Sequence, residues 1–321
     1  MEQIASRRIT RLALVSLVLG LASLIPGLQV LGFVALLLGV QAVRGMNRVE
    51  AGAGMRWIAL LGLALGALMA IVFIVSLIAL GLGNLREKSH RLGCQNNMRL
   101  LGQGVLRYQD ERQVYPAATL SQSSLPLEKR MSWMVAILPY MNPPPRTPAD
   151  APRIHQALKL YEELDKTKAW DDPANRELWG HYKGPYLCPS RPESEGLERL
   201  LTNYVGITGI GKKSAEVPVK DPDAGFFGYD RVIRPDSITR GTSPTMMATE
   251  TLRDNGPWMA GGQPTVRSVD PDDRPFVGLD RPFGGLHPGG LNVLFADGSV
   301  RFMQQDMNPD IWISQARINE D

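Results

Sequence analysis

The sequence predicts an α+β protein carried on apolar membrane helices, and three observations carry that reading. Two apolar runs lie between Leu12 and Leu85, an amphipathic helical stripe follows them, and a tight β-hairpin lies near the C-terminus. Leu12 to Val43 and Trp57 to Leu85 contain no charged side chain. Each run exceeds the roughly 20 apolar residues that cross about 30 Å of hydrocarbon. A signal peptide has a single, shorter apolar core, and a buried helix of a soluble protein keeps a polar face, so permanent membrane anchors are expected. Gly20, Gly32, Gly39, Gly62 and Gly66 are spaced to let helices approach closely, which points to a compact transmembrane helical hairpin within residues 1–84.

Charge frames the topology. Arg7, Arg8 and Arg11 precede the first run, Arg44, Arg48 and Arg56 fill the loop, and Arg86, Lys88 and Arg91 follow the second run. If each run crosses once, the two ends share a side, and the basic count puts the large C-terminal part in the cytoplasm. If Pro26-Gly27 splits the first run, the N-terminus and the loop share the cytoplasmic side and residues 86 onward face outward. Charge alone leaves both arrangements open.

Six of the 35 Lys and Arg and two of the 32 Asp and Glu precede residue 85, so the net charge of +3 belongs to the anchor and the remainder is net −1. A near-neutral domain with no basic stripe argues against nucleic acid as a partner. The roughly 235 residues after the anchor suffice for one domain with a substantial core. Pro143-Pro144-Pro145 and the turns around Pro271 predict long irregular loops on it.

Residues 85–115 read as a juxtamembrane amphipathic helix. Cys94, Met98, Leu101, Val105 and Tyr108 follow a 4-3-4-3 spacing that gathers them on one helical stripe. No proline intervenes between Trp57 and Tyr115, so this helix can continue the last apolar run. Gly93, Gly102 and Gly104 each weaken it by about 1 kcal/mol relative to Ala, which makes a kink an expectation.

Phe283 to Met303 read FGGLHPGGLNVLFADGSVRFM. Asn292–Ala296 and Ser299–Met303 are β-prone runs joined at Asp297-Gly298, a pair suited to a type I′ turn, and the His287-Pro288-Gly289-Gly290 turn precedes them. This His-x9-Asp-Gly string resembles the C-terminal signature of a planctomycete-type family of pseudopilin-like proteins of unknown function. SWMVAILPYM from Ser132, KAWDDPAN from Lys168, LTNYVGITG from Leu201 and IRPDSITRGTSPTMMATE from Ile233 resemble segments of the same family, in its order. The resemblance covers roughly residues 85–315. It implies a long pilin-like helix packed on a mostly antiparallel β-sheet with long loops, and so an extracytoplasmic β-rich domain over 116–321. A second, low-complexity resemblance, to a small bacterial two-helix membrane domain of unknown function, covers roughly residues 10–83.

The family resemblance also bears on Cys94 and Cys188, the only cysteines. On the residues alone, two buried thiols remain open. GCQNNMRLLGQGVLRYQDE and YLCPSRP resemble family segments that each carry one cysteine, which implies a structural disulfide and hence an oxidising compartment. The expected location is then the cytoplasmic (inner) membrane, multi-pass, with the C-terminal domain outside. Family members carry a Gly-Phe-Thr-Leu-Val-Glu-like processing site; that string is not found here and Trp57–Leu85 holds no Glu, so the resemblance leaves both cleavage and filament assembly open.

No residue pattern names a reaction. His287 and Asp297 have acid–base chemistry, but Asp297 and Gly298 sit where a hairpin turn wants them, and His287 reads as fastening its turn through an imidazole hydrogen bond. With no Cys-x-x-Cys or His/Cys cluster in sequence, no metal site and no cofactor are expected. Gly206-x4-Gly211-Lys212-Lys213 misses the phosphate-loop hydroxyl, and Ser243 in GTSPT is no nucleophile elbow. Asp221, Asp223 and Asp230, and Asp270, Asp272, Asp273 and Asp280, read as solvated turn formers in place of a calcium site, since neither loop follows EF-hand spacing. His90, His155 and His181 are scattered. Trp133, Trp170, Trp179, Trp258 and Trp312 suit a core, with a glycan contact as the alternative for one on a loop. The expectation is a non-enzymatic protein whose partners are the lipid bilayer and proteins at the cell surface. Its rivals are a tethered solute or glycan receptor and a surface hydrolase using His287 with a carboxylate.

Overall fold

The computed structural model describes residues 2–46, 53–121, 124–141, 151–179, 182, 184–191 and 200–320. Pro143-Pro144-Pro145, Arg48 and His181 lie outside them, as do the side chains of His155 and Trp179. The chain divides into two compact units, Met1–Arg86 and Glu87–Asp321.

In the first unit the leading apolar run forms two helices. α1 (Glu2–Ala22) and α2 (Leu31–Met46) are separated by a turn that holds Pro26 and Gly27, the latter at φ 91°. Proline cannot continue the helical hydrogen bonds, and the left-handed glycine reverses the chain. α3 (Ala53–Arg112) follows as one helix of 60 residues. The expected two-helix hairpin is therefore corrected to a three-helix arrangement of α1, α2 and the N-terminal part of α3.

Small residues seal that bundle. Ser16 Oγ donates to Ala35 O at 2.8 Å, and Gly45 faces Ile9 while Gly39 faces Ser16, so α1 and α2 are antiparallel. A Cβ added at Gly62 would stand 2.6 Å from Ser16 Oγ, and one at Gly66 would stand 2.6 Å from Leu36 N. Only glycine permits this approach. Outside the seam, Val18, Leu37, Trp57, Ile71 and Leu80 are exposed. α3 is long and apolar enough to cross a membrane, whereas α2 is a shorter apolar helix.

In the second unit, Cys94, Met98, Leu101 and Val105 of α3 are fully buried and Tyr108 is half-buried, as their spacing predicts. Gly93, Gly102 and Gly104 leave the helix uninterrupted. They are points of close approach: an added Cβ would meet Pro189 at 2.9 Å, Leu294 at 2.7 Å and Met141 at 3.1 Å respectively.

Among the described residues, five strands form one mixed sheet: β1 (Tyr204–Ile210), β2 (Met246–Glu250), β3 (Val266–Val269), β4 (Gly290–Phe295) and β5 (Val300–Gln304), in the order β3-β1-β2-β4-β5. β1·β2, β2·β4 and β4·β5 are antiparallel, and β1·β3 is parallel. Every residue of β1, β2 and β4 is buried, so the sheet is covered on both faces. Tyr204, Ala248 and Leu294 share a core with Met98, Leu101, Trp133 and Phe227; Val205, Ile207, Leu291, Val293 and Phe295 share another with Phe276, Phe283 and Trp312. The period-two alternation of strands divides β1 and β4 between the two cores. Shorter helices complete the described part of the unit: α4 (Trp133–Ala136), α5 (Ala151–Glu163), α6 (Pro173–Trp179) and α7 (Pro309–Gln315).

The β4–β5 hairpin forms as expected, from Leu294↔Val300 to Gly290↔Gln304. Its turn is of a different type. Gly298 N donates to Phe295 O and Phe295 N to Ser299 O, both at 2.9 Å, and positive φ occurs at Gly298 (81°) but not at Asp297. Ala296 and Asp297 thus occupy the turn centre, and Gly298 takes the left-handed position after it, a three-residue connection with a glycine bulge. Asp297 Oδ1 accepts from Ser299 N at 2.8 Å and fixes that geometry.

Candidate functional site

His287 sits in the turn that leads into β4, where Pro288 and the left-handed Gly289 (φ 83°) fold the chain back. Its side chain is 0% exposed. Nδ1 lies 2.6 Å from Glu87 Oε1 on α3, so the Nδ1–H donates to a carboxylate that is about one-third exposed (35%). Nε2 faces Cys188 Sγ at 3.6 Å and Glu250 Oε1 at 3.6 Å.

Cys94 of α3 and Cys188 form a disulfide, with Cα atoms 5.3 Å apart and 94 residues of separation. In the chain-entropy description a loop of this length contributes about 4–5 kcal/mol. Cys188 is held in place by its own backbone N–H, which donates to Asn203 Oδ1 at 3.0 Å.

Glu250 closes β2 with a side chain 2% exposed. Its Oε2 accepts from Asn292 N at 2.7 Å and its Oε1 from Asn292 Nδ2 at 3.0 Å. Asn292 Oδ1 in turn accepts from Gln95 Nε2 at 3.1 Å, which ties the carboxylate to α3. Burial pushes the Glu250 pKa up, opposed by the Asn292 hydrogen bonds and the neighbouring His287. Gly285 leaves room for it, since a Cβ there would stand 2.6 Å from Glu250 Oε2.

Four elements therefore bring two sulfurs, an imidazole and a carboxylate to one buried point: the ligand atoms of Cys94, Cys188, Glu250 and His287 all lie within 4.8 Å of one another. Sequence spacing does not reach this arrangement, because its members are dispersed along the chain from Cys94 to His287. Glu250 and Asn292 lie inside the strings that resemble family segments, but nothing in those strings marks them as partners, and Glu87 lies in none of the quoted strings. A signal for Glu250 exists in MMATE, a strand of buried residues that ends on a carboxylate.

The other motif residues lie elsewhere. His287 precedes β4 and Asp297 follows it, so about 20 Å of strand separates them and they form no joint site. Burial works against ionisation of Asp297, but hydrogen bonds from Ser299 and Ser243 and the charge of Arg301 hold its carboxyl below the usual range. A cavity of about 280 Å³ borders the His287 turn, lined by Val277, Leu279, Leu286 and Gln305 among others. His287 is among the lining residues, but its side chain is 0% exposed.

Several of the remaining candidates have structural partners. Asp223 pairs with Arg317 at 2.9 Å, Asp230 with Arg130 at 2.9 Å and Asp270 with Lys212 at 3.5 Å. Asp221 Oδ1 accepts from Asp223 N, an Asx turn. Gly206 lies inside β1, covered by the Phe227 ring, and forms no phosphate-binding turn. Ser243 accepts from Arg301 at 2.9 Å. Trp133, Trp258 and Trp312 are buried, and Trp170 Nε1 donates to Glu128 O at 2.8 Å.

Residues 83–272 match a family described as "Protein of unknown function (DUF1559)". The match takes in Glu87, both cysteines and Glu250, and it ends before His287 and the Asp297-Gly298 turn. No curated protein and no solved structure matches the chain. Since the matched segment covers more than half of the 321 residues, from within α3 through β3, the protein belongs to the DUF1559 family.

Proposed function

We propose that this protein is a non-enzymatic, membrane-tethered, pseudopilin-like protein of the inner membrane, whose extracytoplasmic second unit acts through protein contacts in surface organisation, secretion or adhesion. One observation carries the reading: a disulfide joins α3 to the globular unit, and such bonds persist in oxidising compartments. The broken first run supplies independent support. With α1 and α2 antiparallel and α3 returning along them, Arg7, Arg8, Arg11, Arg44 and Arg56 gather at one end of the bundle, and Arg86 lies beyond the apolar part of α3. The positive-inside rule then keeps the N-terminus in the cytoplasm and exports residues 87 onward. The large apolar side chains exposed on the first unit are those a lipid bilayer would cover.

The hydrolase rival loses ground because the imidazole of His287 is fully covered, and the glycan-receptor rival because Trp133, Trp258 and Trp312 are buried, which leaves Trp170 as the partly exposed tryptophan on a described loop. A C-terminal fusion to a reporter enzyme that is active only outside the cytoplasm should be active in whole cells, and a cytosol-only fluorescent fusion should stay dark. The reverse pattern, or free thiols at both cysteines in protein isolated without reductant, would overturn the exported assignment. For the mode of action, crosslinking on intact cells should yield discrete protein adducts of the second unit that an excess of cell-wall glycan does not diminish.

A further inference from the structure

The buried cluster around His287 has the composition and geometry of a metal site whose two sulfurs are joined to each other. A tetrahedral zinc ion with bonds of about 2.3 Å to sulfur and about 2.0–2.2 Å to nitrogen or oxygen sets its ligand atoms about 3.3–3.8 Å apart. His287 Nε2 stands 3.6 Å from Cys188 Sγ and 3.6 Å from Glu250 Oε1. The four residues are 0–4% exposed, so an ion held there would lose its water shell and be compensated by thiolate and carboxylate charge.

The surroundings are also those that metal ligands require. A ligating histidine typically gives its other ring nitrogen to a carboxylate, which fixes the tautomer and raises the basicity of the free nitrogen. Glu87 occupies that place at 2.6 Å from Nδ1, leaving Nε2 directed at the sulfurs. Glu250 is oriented in the same manner by both the backbone and the side chain of Asn292. A turn fastened for structure alone needs one hydrogen bond to the imidazole; it does not need a second, buried carboxylate on the opposite nitrogen.

We propose that, when the Cys94–Cys188 bond is reduced, Cys94, Cys188, His287 and Glu250 bind one thiophilic divalent cation of the zinc class, so that the same four groups have a disulfide state and a metal state. Reduction proceeds by exchange with a dithiol: its thiolate attacks one sulfur, its second thiol closes its own disulfide, and two electrons and two protons pass to Cys94 and Cys188. The cation then displaces the two thiol protons. Opening the sulfurs to the spacing of two thiolate ligands is a side-chain movement within a site whose other two ligands are already placed. If the second unit is exported as proposed above, the metal state belongs to the chain before oxidation or to a locally reducing surface; the site itself does not depend on topology.

The full-length protein in detergent micelles tests this with Co²⁺ as an optical probe, in its oxidised form and after reduction by a phosphine without oxygen. The reduced protein should take up one Co²⁺ per chain, show sulfur-to-cobalt charge transfer and tetrahedral ligand-field bands, and release the ion to Zn²⁺. The oxidised protein should show neither band. Glu250→Gln and His287→Ala should each weaken binding at least tenfold. Glu87→Gln, which alters a positioning residue, should weaken it about 10–100-fold with an unchanged near-ultraviolet circular dichroism spectrum. If His287→Ala does not fold, the two glutamate variants carry the comparison. Absence of the charge-transfer band in the reduced protein, equal uptake by the oxidised form, unfolding on reduction without metal uptake, or undiminished affinity in Glu250→Gln and Glu87→Gln would each overturn the proposal.

Discussion

Five backbone carbonyls converge on Arg231. Its Nη1 donates to Ser214 O and Val217 O at 2.9 Å, and its Nη2 to Thr208 O, Gly225 O and Phe227 O at 3.1, 2.7 and 2.5 Å. The residue is 7% exposed, and burial lowers its pKa to about 10, opposed by the charge of Asp221, so it is charged at neutral pH. One side chain thereby satisfies the acceptors of the loops that wrap β1. Replacing it, Arg231→Leu, removes this donor from all five at once, with Thr208 O keeping Gly225 N as a partner, and should destabilise the second unit by about 3 kcal/mol or more, read as a lower denaturant midpoint of the purified protein. Nothing local in the string YDRVIRP marks this role. The same holds for Glu250: its partners His287 and Asn292 lie far along the chain, and the pairing exists only once β2 and β4 lie side by side. His287 itself was legible because Pro-Gly-Gly after a histidine specifies a turn.

Elements were legible where a period or a breaker acts within one segment. The stripe from Cys94 to Val105 follows from helical spacing, and the hairpin from two β-prone runs around Asp297-Gly298. The turn type was not, since Asp-Gly suits both a two-residue turn and a glycine bulge, and the pairing of Leu294 with Val300 is that of the latter. Pro26-Gly27 left the first apolar run open to two arrangements; packing against α3 accompanies the broken one. That packing predicts the response to bulk. At Gly66 an added Cβ meets the backbone atoms Leu36 N and Gly32 O at 2.6 and 2.8 Å, and backbone cannot step aside as a side chain does. Gly66→Leu should therefore separate α3 from α2 and lower the melting temperature of the first unit in micelles. Gly81→Leu, which has open space, should leave it unchanged.

At the scale of the whole second unit, the aromatic core sets an alkaline limit. Burial raises the phenol of Tyr182 to about 12 and raises those of Tyr186 and Tyr204 as well. In the unfolded chain these groups ionise near pH 10. From pH 10 upward the unfolded state loses protons that the folded state retains, so stability that is complete below pH 10 declines through about pH 12. Tyr182 alone accounts for about 2–3 kcal/mol of that decline, and Tyr182→Phe should flatten it in denaturation midpoints measured across the window. Neither the strand order nor the parallel β1·β3 pair was readable from the chain, because the crossover between them runs from Gly211 to Thr265 through loops and β2, where no periodicity dictates a partner.

The place of β4 within the sheet has a consequence for biosynthesis. It lies between β2 and β5, yet it is drawn from residues 290–295 of a 321-residue chain. A nascent chain on the ribosome can pair β1 with β2 and β3, but β2 keeps a bare edge until residues 290–295 have emerged. Closure of the sheet thus waits for β4, and a product terminated before it displays an unpaired edge for chaperones and proteases to seize.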